Sequence, residues 1–320
     1  IERAGQSTLI EILQKQPGIE ITSNGGAGTT SGIFMRGTNS GHVVVLVDGM
    51  RISSATAGTT TFENLPTSLI DRIEIVRGPG SSLYGQDAIG GVIQIFTKKG
   101  NGEPKFYAGI GYGTYNTKTA EAGVHGAIND TSFALDLSAK DTDSFSALDT
   151  KHANFSDKDS YRNISFNASV IQKLAEGHEM GIHLFNSEGK GNFDNSFNVC
   201  NFSSNFDLEQ QSLAFTSKNK FLTFWLSNLK VGFSKDKVKS FDEIDSFNNP
   251  FNPSKVDTEQ TQINWQNALS SPVGTLNLMY DRLEEDVKST TAYDKIYRIN
   301  NGYVASYLAN IESHTIQLSY

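Results

Sequence analysis

The chain has 320 residues and a net charge of −8, with 37% hydrophobic, 10% aromatic and 19% charged side chains. Its longest clean apolar run, Val43–Val47, falls far short of the ~20 residues that a spanning helix needs, so a helical membrane protein is excluded. The 20 Phe, 11 Tyr and 2 Trp exclude an ordinary disordered chain. The acidic balance argues against a nucleic-acid binder. The single cysteine, Cys200, excludes an intramolecular disulfide framework.

Composition changes near residue 100. Residues 1–100 hold 16 of the 29 glycines and 4 of the 33 aromatics, with 8 basic and 8 acidic side chains. Residues 101–320 hold the other 29 aromatics and, with 19 basic against 27 acidic groups, the whole negative charge. The polar stretch 98–104 (KKGNGEP) reads as a linker between two domains, 1–99 and 105–320.

The first domain reads as mixed α and β. Thr8 and Glu11 have capping-box spacing, and Leu9, Ile10, Ile12 and Leu13 form an apolar helical stripe that Pro17-Gly18 ends. Residues 42–48 (HVVVLVD) predict a buried strand closed by an Asp48-Gly49 turn. Ile70, Ile73, Ile75 and Val76 predict a helix-to-strand segment, ended by Gly78-Pro79-Gly80. Residues 81–85 suit one helical turn, and 91–97 (GVIQIFT) another strand. Residues 24–32 and 53–61 are soft loops, without charge or bulk, able to approach a ligand closely.

The second domain alternates with period two. Eleven strands are expected, near 105–113, 116–128, 131–143, 161–174, 178–187, 208–217, 222–240, 257–270, 273–286, 301–311 and 313–320. Apart from a tight first link, short connections alternate with long ones at 144–160, 188–207, 241–256 and 287–300. Short turns on one rim and long loops on the other, with alternating apolar and polar faces, predict an outer-membrane β-barrel. Trp225 and Trp265 suit a lipid-interface belt. Complete bacterial barrels have even strand numbers, and one wide enough to hold a plug has about 22 strands. The expected fold is therefore an α+β plug domain and part of an antiparallel transmembrane β-barrel, about 11 of 22 strands. The sequence is expected to be a piece of a longer chain.

Residues 33–50 (IFMRGTNSGHVVVLVDGM) and 70–99 resemble the plug of TonB-dependent outer-membrane receptors. Arg36-Gly37, Asp48-Gly49, Arg77-Gly78-Pro79, Tyr84-Gly85 and Ala88-Ile89-Gly90-Gly91 carry the resemblance. Asn24-Gly25-Gly26, Arg36-Gly37-Thr38-Asn39 and Asp87-Ala88-Ile89-Gly90-Gly91 draw it toward receptors for cobalamin. The resemblance implies a monomer in the Gram-negative outer membrane that captures cobalamin or a related corrinoid. Uptake would be energised by TonB, gripping a segment before the plug that is absent from this sequence.

By similarity, Thr30, Ser31, Gly32 and Asn39 form one set of ligand contacts, and Ala57 with Gly58 another. Small side chains and free backbone groups suit close contact with a large planar corrinoid. The resemblance also implies calcium at outer-loop aspartates, with Asp194, Asp207, Asp242, Asp245 and Asp257 as candidates; six to eight oxygens are required. No covalent cofactor is expected. Arg36, Arg51, Arg72 and Arg77 could pair with Glu63, Asp71, Glu74 and Asp87, or with the barrel wall. The histidines show no HExxH pair, no GxSxG elbow exists, and residues 78–85 lack the GK[ST] of a phosphate loop, so no enzyme is expected. Two rivals stand beside this reading: a siderophore or other metal-chelate receptor, which would favour more Arg and aromatics on the plug tips than these small, neutral loops carry, and a secreted carbohydrate-binding or adhesive β-protein.

Overall fold

The computed structural model describes residues 8–80, 84–85, 87–147, 158–194, 204–241, 253–311 and 314–319. The chain begins with helix α1 (Leu9–Gln14), where Thr8 caps the first turn by accepting from the Glu11 amide at 3.2 Å. Leu9 and Leu13 turn inward and are fully buried. Strands β1 (Ile19–Ser23) and β2 (Ser31–Met35) then form an antiparallel hairpin across residues 24–30. The loop expected over 24–32 thus ends two residues early, in β2.

A four-stranded sheet follows, built from β3 (Val43–Val47), β4 (Met50–Arg51), β5 (Ile70–Arg77) and β6 (Gly91–Thr97), in the order β4-β3-β6-β5. All five residues of β3 are buried, as befits a strand paired in parallel with β6 and covered on both faces. Asp48 and Gly49 adopt φ of +49° and +79°. Positive φ at both positions of a two-residue link is the type I′ geometry that Asp-Gly favours.

The helix-to-strand reading of residues 70–76 is corrected: β5 is strand throughout, entered from a 3-10 turn at Thr67–Leu69. A bulge between Ile70 and Arg72 inserts one residue into the ladder with β6. It lets Ile70, Ile73 and Ile75 pack on one core although Ile70 and Ile73 are three apart, a spacing that mimics a helix.

Eleven antiparallel strands follow in sequence order, each paired with the next: β7 (Lys105–Gly113), β8 (Thr117–Ile128), β9 (Thr131–Thr142), β10 (Tyr161–Ala175), β11 (His178–Phe193), β12 (Ser204–Leu222), β13 (Trp225–Phe241), β14 (Ser254–Ser271), β15 (Gly274–Ser289), β16 (Tyr297–Ile311) and β17 (His314–Ser319). One face carries exposed Leu135, Leu137, Ile164, Ile182, Phe215 and Phe233. The other buries Ser138, Asn163, Ser165, Asn167, Gln210 and Gln260. That is a barrel wall with an apolar exterior and a polar lumen.

β11 and β12 extend past the expected ends, so much of the link placed at 188–207 is ladder. Their extensions carry charges outward, including Lys190 with Asp207 at 3.6 Å, and the neighbouring rung continues the pattern with Lys237 of β13 against Glu209 of β12 at 3.0 Å. Hydrogen-bonded pairing continues there above the lipid, without the apolar alternation that marks a strand in sequence.

The described residues of the plug lie against the polar face. Phe185 of β11 joins the plug's own apolar core. At the plug's far end, Asn167 donates to the Lys98 carbonyl at 3.2 Å and to the fully buried Asp136 at 3.0 Å. Asp136 also accepts from Tyr107 at 2.8 Å and contacts His125. This network ties the plug's exit to β7–β10.

Candidate ligand site at the plug tips

The two glycine-rich plug loops reach the rim of the long barrel connections. Ala27 donates its amide to Ser144 Oγ at 3.1 Å, and Gly28, with φ of +83°, lies against the ring of Tyr161 at the start of β10. Ala55 donates to Thr258 Oγ1, near the start of β14, at 3.1 Å. Both loops also bond to themselves. Asn24 donates to the Thr30 carbonyl at 3.2 Å, while Ser54 accepts from the Gly58 amide at 2.8 Å and donates to the Thr59 carbonyl at 2.9 Å. They are defined turns that present small groups, held by the barrel wall.

Thr30, Asn39 and Ala57 are exposed, and Gly32 and Gly58 are half-buried. Ser31 is buried at 3% exposure, with its hydroxyl turned into the plug. Asn39 opens the 3-10 turn Ser40–His42. Through Gly41 that turn meets Gly58, where an added β-carbon would lie 3.2 Å from the Gly41 Cα. The structure thus joins the Asn39 turn to the Ala57–Gly58 loop and places Thr30 and Gly32 on the separate β1–β2 hairpin.

The groups that fix these loops from below were missed in the sequence. Asn64, fully buried on the 3-10 turn Phe62–Asn64, donates to the Ser187 carbonyl at 2.9 Å. Its Oδ1 accepts from Asn163 at 2.8 Å and from the Tyr161 hydroxyl at 3.2 Å. Only a buried amide between two apolar neighbours, Phe62 and Leu65, could have signalled it. Lower down, Lys230 donates to the Asp48 carbonyl at 2.8 Å, and Ser234 to the Arg51 carbonyl at 2.6 Å.

Of the arginines expected to pair, Arg51 pairs with Asp87 and donates to the Tyr84 carbonyl at 2.9 Å. Arg72 pairs with Asp71 and Glu74 in the open, where such pairs are worth little. Arg77 donates to the Pro17 carbonyl at 2.8 Å. Glu63 takes no arginine among the described residues. Burial pushes its carboxyl up to about 7, helped by the nearby Asp236 and opposed by hydrogen bonds from its own backbone and from Ser31.

The aspartates proposed for calcium have separate partners. Asp194 accepts from Ser146 at 2.9 Å, Asp207 faces Lys190 at 3.6 Å, and Asp257 pairs with Lys255 at 2.6 Å. Asp242 and Asp245, like Cys200, lie outside the described residues. No group of three acidic, His or Cys side chains converges among the described residues. Two of the three described aspartates already face lysines, a poor fit to a calcium cage.

The TonB-dependent Receptor Plug Domain family matches residues 1–92. The chain is 30% identical over 275 residues to the vitamin B12 transporter BtuB of Photobacterium profundum, covering 83% of this chain and 42% of that protein. It is 45% identical over 134 residues to the vitamin B12 transporter BtuB of Vibrio vulnificus, covering 42% and 22%. The FrpB iron transporter of Neisseria meningitidis shares the fold with a TM-score of 0.81 at 12% identity, covering 98% of this chain and 56% of that one. The chain spans about half the length of the curated relatives it matches. A plug-family match, relatives along the chain, and a plug set against the polar face of an eleven-stranded barrel wall agree: the chain belongs to the TonB-dependent outer-membrane receptors.

Proposed function

We propose that the protein of which this chain is part captures cobalamin or a related corrinoid at the outer surface and passes it inward in a TonB-energised step, as a monomer. The observation that carries this is the chemistry of the plug tips. Thr30, Gly32, Asn39, Ala57 and Gly58 are small and uncharged, and they stand at the long-loop rim. A corrinoid is broad, rigid and neutral-rimmed with amides. It gains from flat approach and from backbone and hydroxyl hydrogen bonds, and has little use for the cationic or aromatic grip that suits a ferric chelate. The relatives named as vitamin B12 transporters support the same ligand.

No bond in the ligand is made or broken. The loops bind and orient it, and their contacts with Ser144, Tyr161 and Thr258 hold the tips in place. Release would follow from plug rearrangement when TonB pulls on the segment before α1. The test is binding calorimetry with cyanocobalamin on the full-length protein in detergent. Ala57→Trp and Thr30→Trp, both at exposed positions, should weaken binding strongly without altering the melting temperature. Ser31→Trp is a poor probe, since Ser31 is buried. Tight binding of a ferric chelate, with none of cyanocobalamin, would overturn the corrinoid reading in favour of a siderophore receptor.

A further inference from the structure

The outer wall carries a groove where its apolar face gives way to charge. The groove crosses β10–β16 and has a volume of about 770 Å³. Phe166, Leu184, Leu213 and Phe233 line one side, and Gln211, Lys235 and Glu259 the other. These side chains point outward, because Ser212 and Ser234, one residue away on β12 and β13, are buried on the plug side. Above the groove the outward rungs continue across the strands. Gln211, Lys235 and Glu259 share one rung; Glu209, Lys237, Asp257 and Lys288 share the next; Lys190, Asp207, Lys239 and Lys255 share the top one.

In the middle rung each lysine finds a carboxylate: Lys237 meets Glu209 at 3.0 Å, and Lys288 meets Glu259 at 3.6 Å. The top rung breaks this pattern. Three lysines stand there with one aspartate, and Lys239 and Lys255 lie directly opposite each other. Asp207 faces Lys190 at 3.6 Å, and Lys255 takes Asp257 of its own strand at 2.6 Å. Lys239 has only the Phe241 ring, 4.5 Å from its amine, and no carboxylate at ion-pair distance among the described residues. Like charges directly opposite destabilise a ladder, a cost that an anion between them would remove. Height selects that anion. Lys239 is six residues beyond Phe233, ~15 Å along the barrel axis in a strand tilted by ~40°. The headgroup layer of an ordinary bilayer is only about 5–8 Å deep on each side. A phospholipid with its chain in the groove therefore falls short of the top rung, whereas a saccharide headgroup bearing several phosphates reaches it.

We propose that the outward face of β11–β14 is a docking site for a phosphorylated glycolipid of the outer leaflet. Its acyl chain lies in the groove along Leu213 and Phe233, and its phosphates bind Lys239 and Lys255. Each exposed contact alone is weak, but the chain and the phosphates belong to one molecule, so their effects combine. The site does not depend on which ligand the plug tips capture.

The test is native mass spectrometry of the full-length protein in detergent, titrated with purified rough lipopolysaccharide. Saturable binding of this glycolipid is expected. Lys239→Gln combined with Lys255→Gln should weaken it about tenfold, while the melting temperature without lipid stays the same. Dephosphorylated glycolipid, and phosphatidylglycerol, whose phosphate sits too low, should not distinguish the double variant from wild type. Lys118→Gln combined with Arg162→Gln, on the outward faces of β8 and β10, should leave glycolipid binding intact. If the Lys239 and Lys255 variant binds the glycolipid as wild type does, the proposal fails. It fails too if the β8 and β10 variant loses as much, because net charge alone then attracts the lipid. Phosphatidylglycerol binding that depends equally on Lys239 and Lys255 would also overturn it, since an ordinary headgroup then suffices. A wild-type dimer that the double variant lacks would assign the face to a second copy of the chain instead.

Discussion

Gly28 and Tyr161 approach so closely that a β-carbon on the glycine would fall 2.2 Å from the tyrosine ring. The glycine also has φ of +83°, which L side chains rarely adopt. Tyr161 belongs to an apolar cluster with Phe206 and Leu208 of the barrel wall, against which Ala27 packs. The tip of the β1–β2 hairpin is therefore seated on the wall through a contact that only glycine permits. Gly28→Ala should lift the tip, weaken the proposed corrinoid binding, and lower stability by about 1–3 kcal/mol from overpacking and backbone strain together. Combining it with Tyr161→Ala should restore the space but not the backbone preference, so the double variant should recover only in part. Equal losses in the single and double variants would mean that contact with the ring is not what matters.

Asn64 gives the second prediction. It is fully buried and bonds to Ser187, Asn163 and Tyr161, which belong to two barrel strands. Removing its side chain takes one donor from the Ser187 carbonyl and one acceptor from the Asn163 amide, which keeps Ser187 Oγ at 2.9 Å and the Glu188 carbonyl at 3.2 Å. Asn64→Ala should cost about 1–3 kcal/mol, the usual range for one buried polar group left short of a partner. Asn64→Asp keeps the acceptor but loses the donor and adds a charge near Glu63, so it should be at least as harmful. Melting in detergent and protease sensitivity of the plug would measure both; a neutral Asn64→Ala would show that water replaces the amide.

How far the sequence foretold these arrangements depends on periodicity. The Val43–Val47 strand, the Asp48-Gly49 turn and the barrel strands announced themselves because alternation and Asp-Gly chemistry are local. The β5 bulge defeated the pattern, since one inserted residue turns a strand spacing into a helical one. The β11 and β12 extensions were hidden because charged outward faces above the lipid carry no apolar alternation. The candidate loops were visible as soft, uncharged stretches. That Ser31 turns inward, and that Asn64 and Tyr161 hold the plug, depends on which barrel strand faces which plug turn. No single segment encodes that pairing.

Arg51 leads to a third prediction. Its guanidinium reaches Asp87 and the Tyr84 carbonyl, while its own backbone donates to Gln262 Oε1 at 2.9 Å and accepts from Gln262 at 3.0 Å. The side chain braces the plug internally and the backbone ties it to β14. Arg51→Lys keeps the charge but loses the planar fork that serves two partners in different directions. It should destabilise the plug measurably, though by less than Arg51→Ala. For the alanine variant a loss of about 3 kcal/mol is expected, because one partner of a largely buried pair is left behind. Thermal denaturation of the three proteins should rank them wild type, lysine, alanine; indistinguishable lysine and wild-type curves would remove the fork from the account.

The outward ladder of β13 makes the last prediction, which concerns where the bilayer ends. Leu229 and Phe233 face lipid, then Lys235, Lys237 and Lys239 occupy the next outward positions of the same strand. Below them Trp225 donates to Asn267 at 2.9 Å and packs on Phe221 with ring centres 5.0 Å apart, an arrangement suited to the opposite interface. Nine residues from Trp225 to Phe233 in a strand tilted by ~40° span roughly 20 Å, close to the ~25 Å apolar band of such barrels. Leu229 then lies near the midplane and Lys237 beyond the lipid. Leu229→Lys should cost about 2–4 kcal/mol in urea unfolding from phospholipid vesicles, whereas Lys237→Leu should change little. A small cost at Leu229 and a large one at Lys237 would place the bilayer higher on the wall. The outward charged pairs Lys237–Glu209 and Lys190–Asp207 would then have to sit in hydrocarbon, where their desolvation has no compensation.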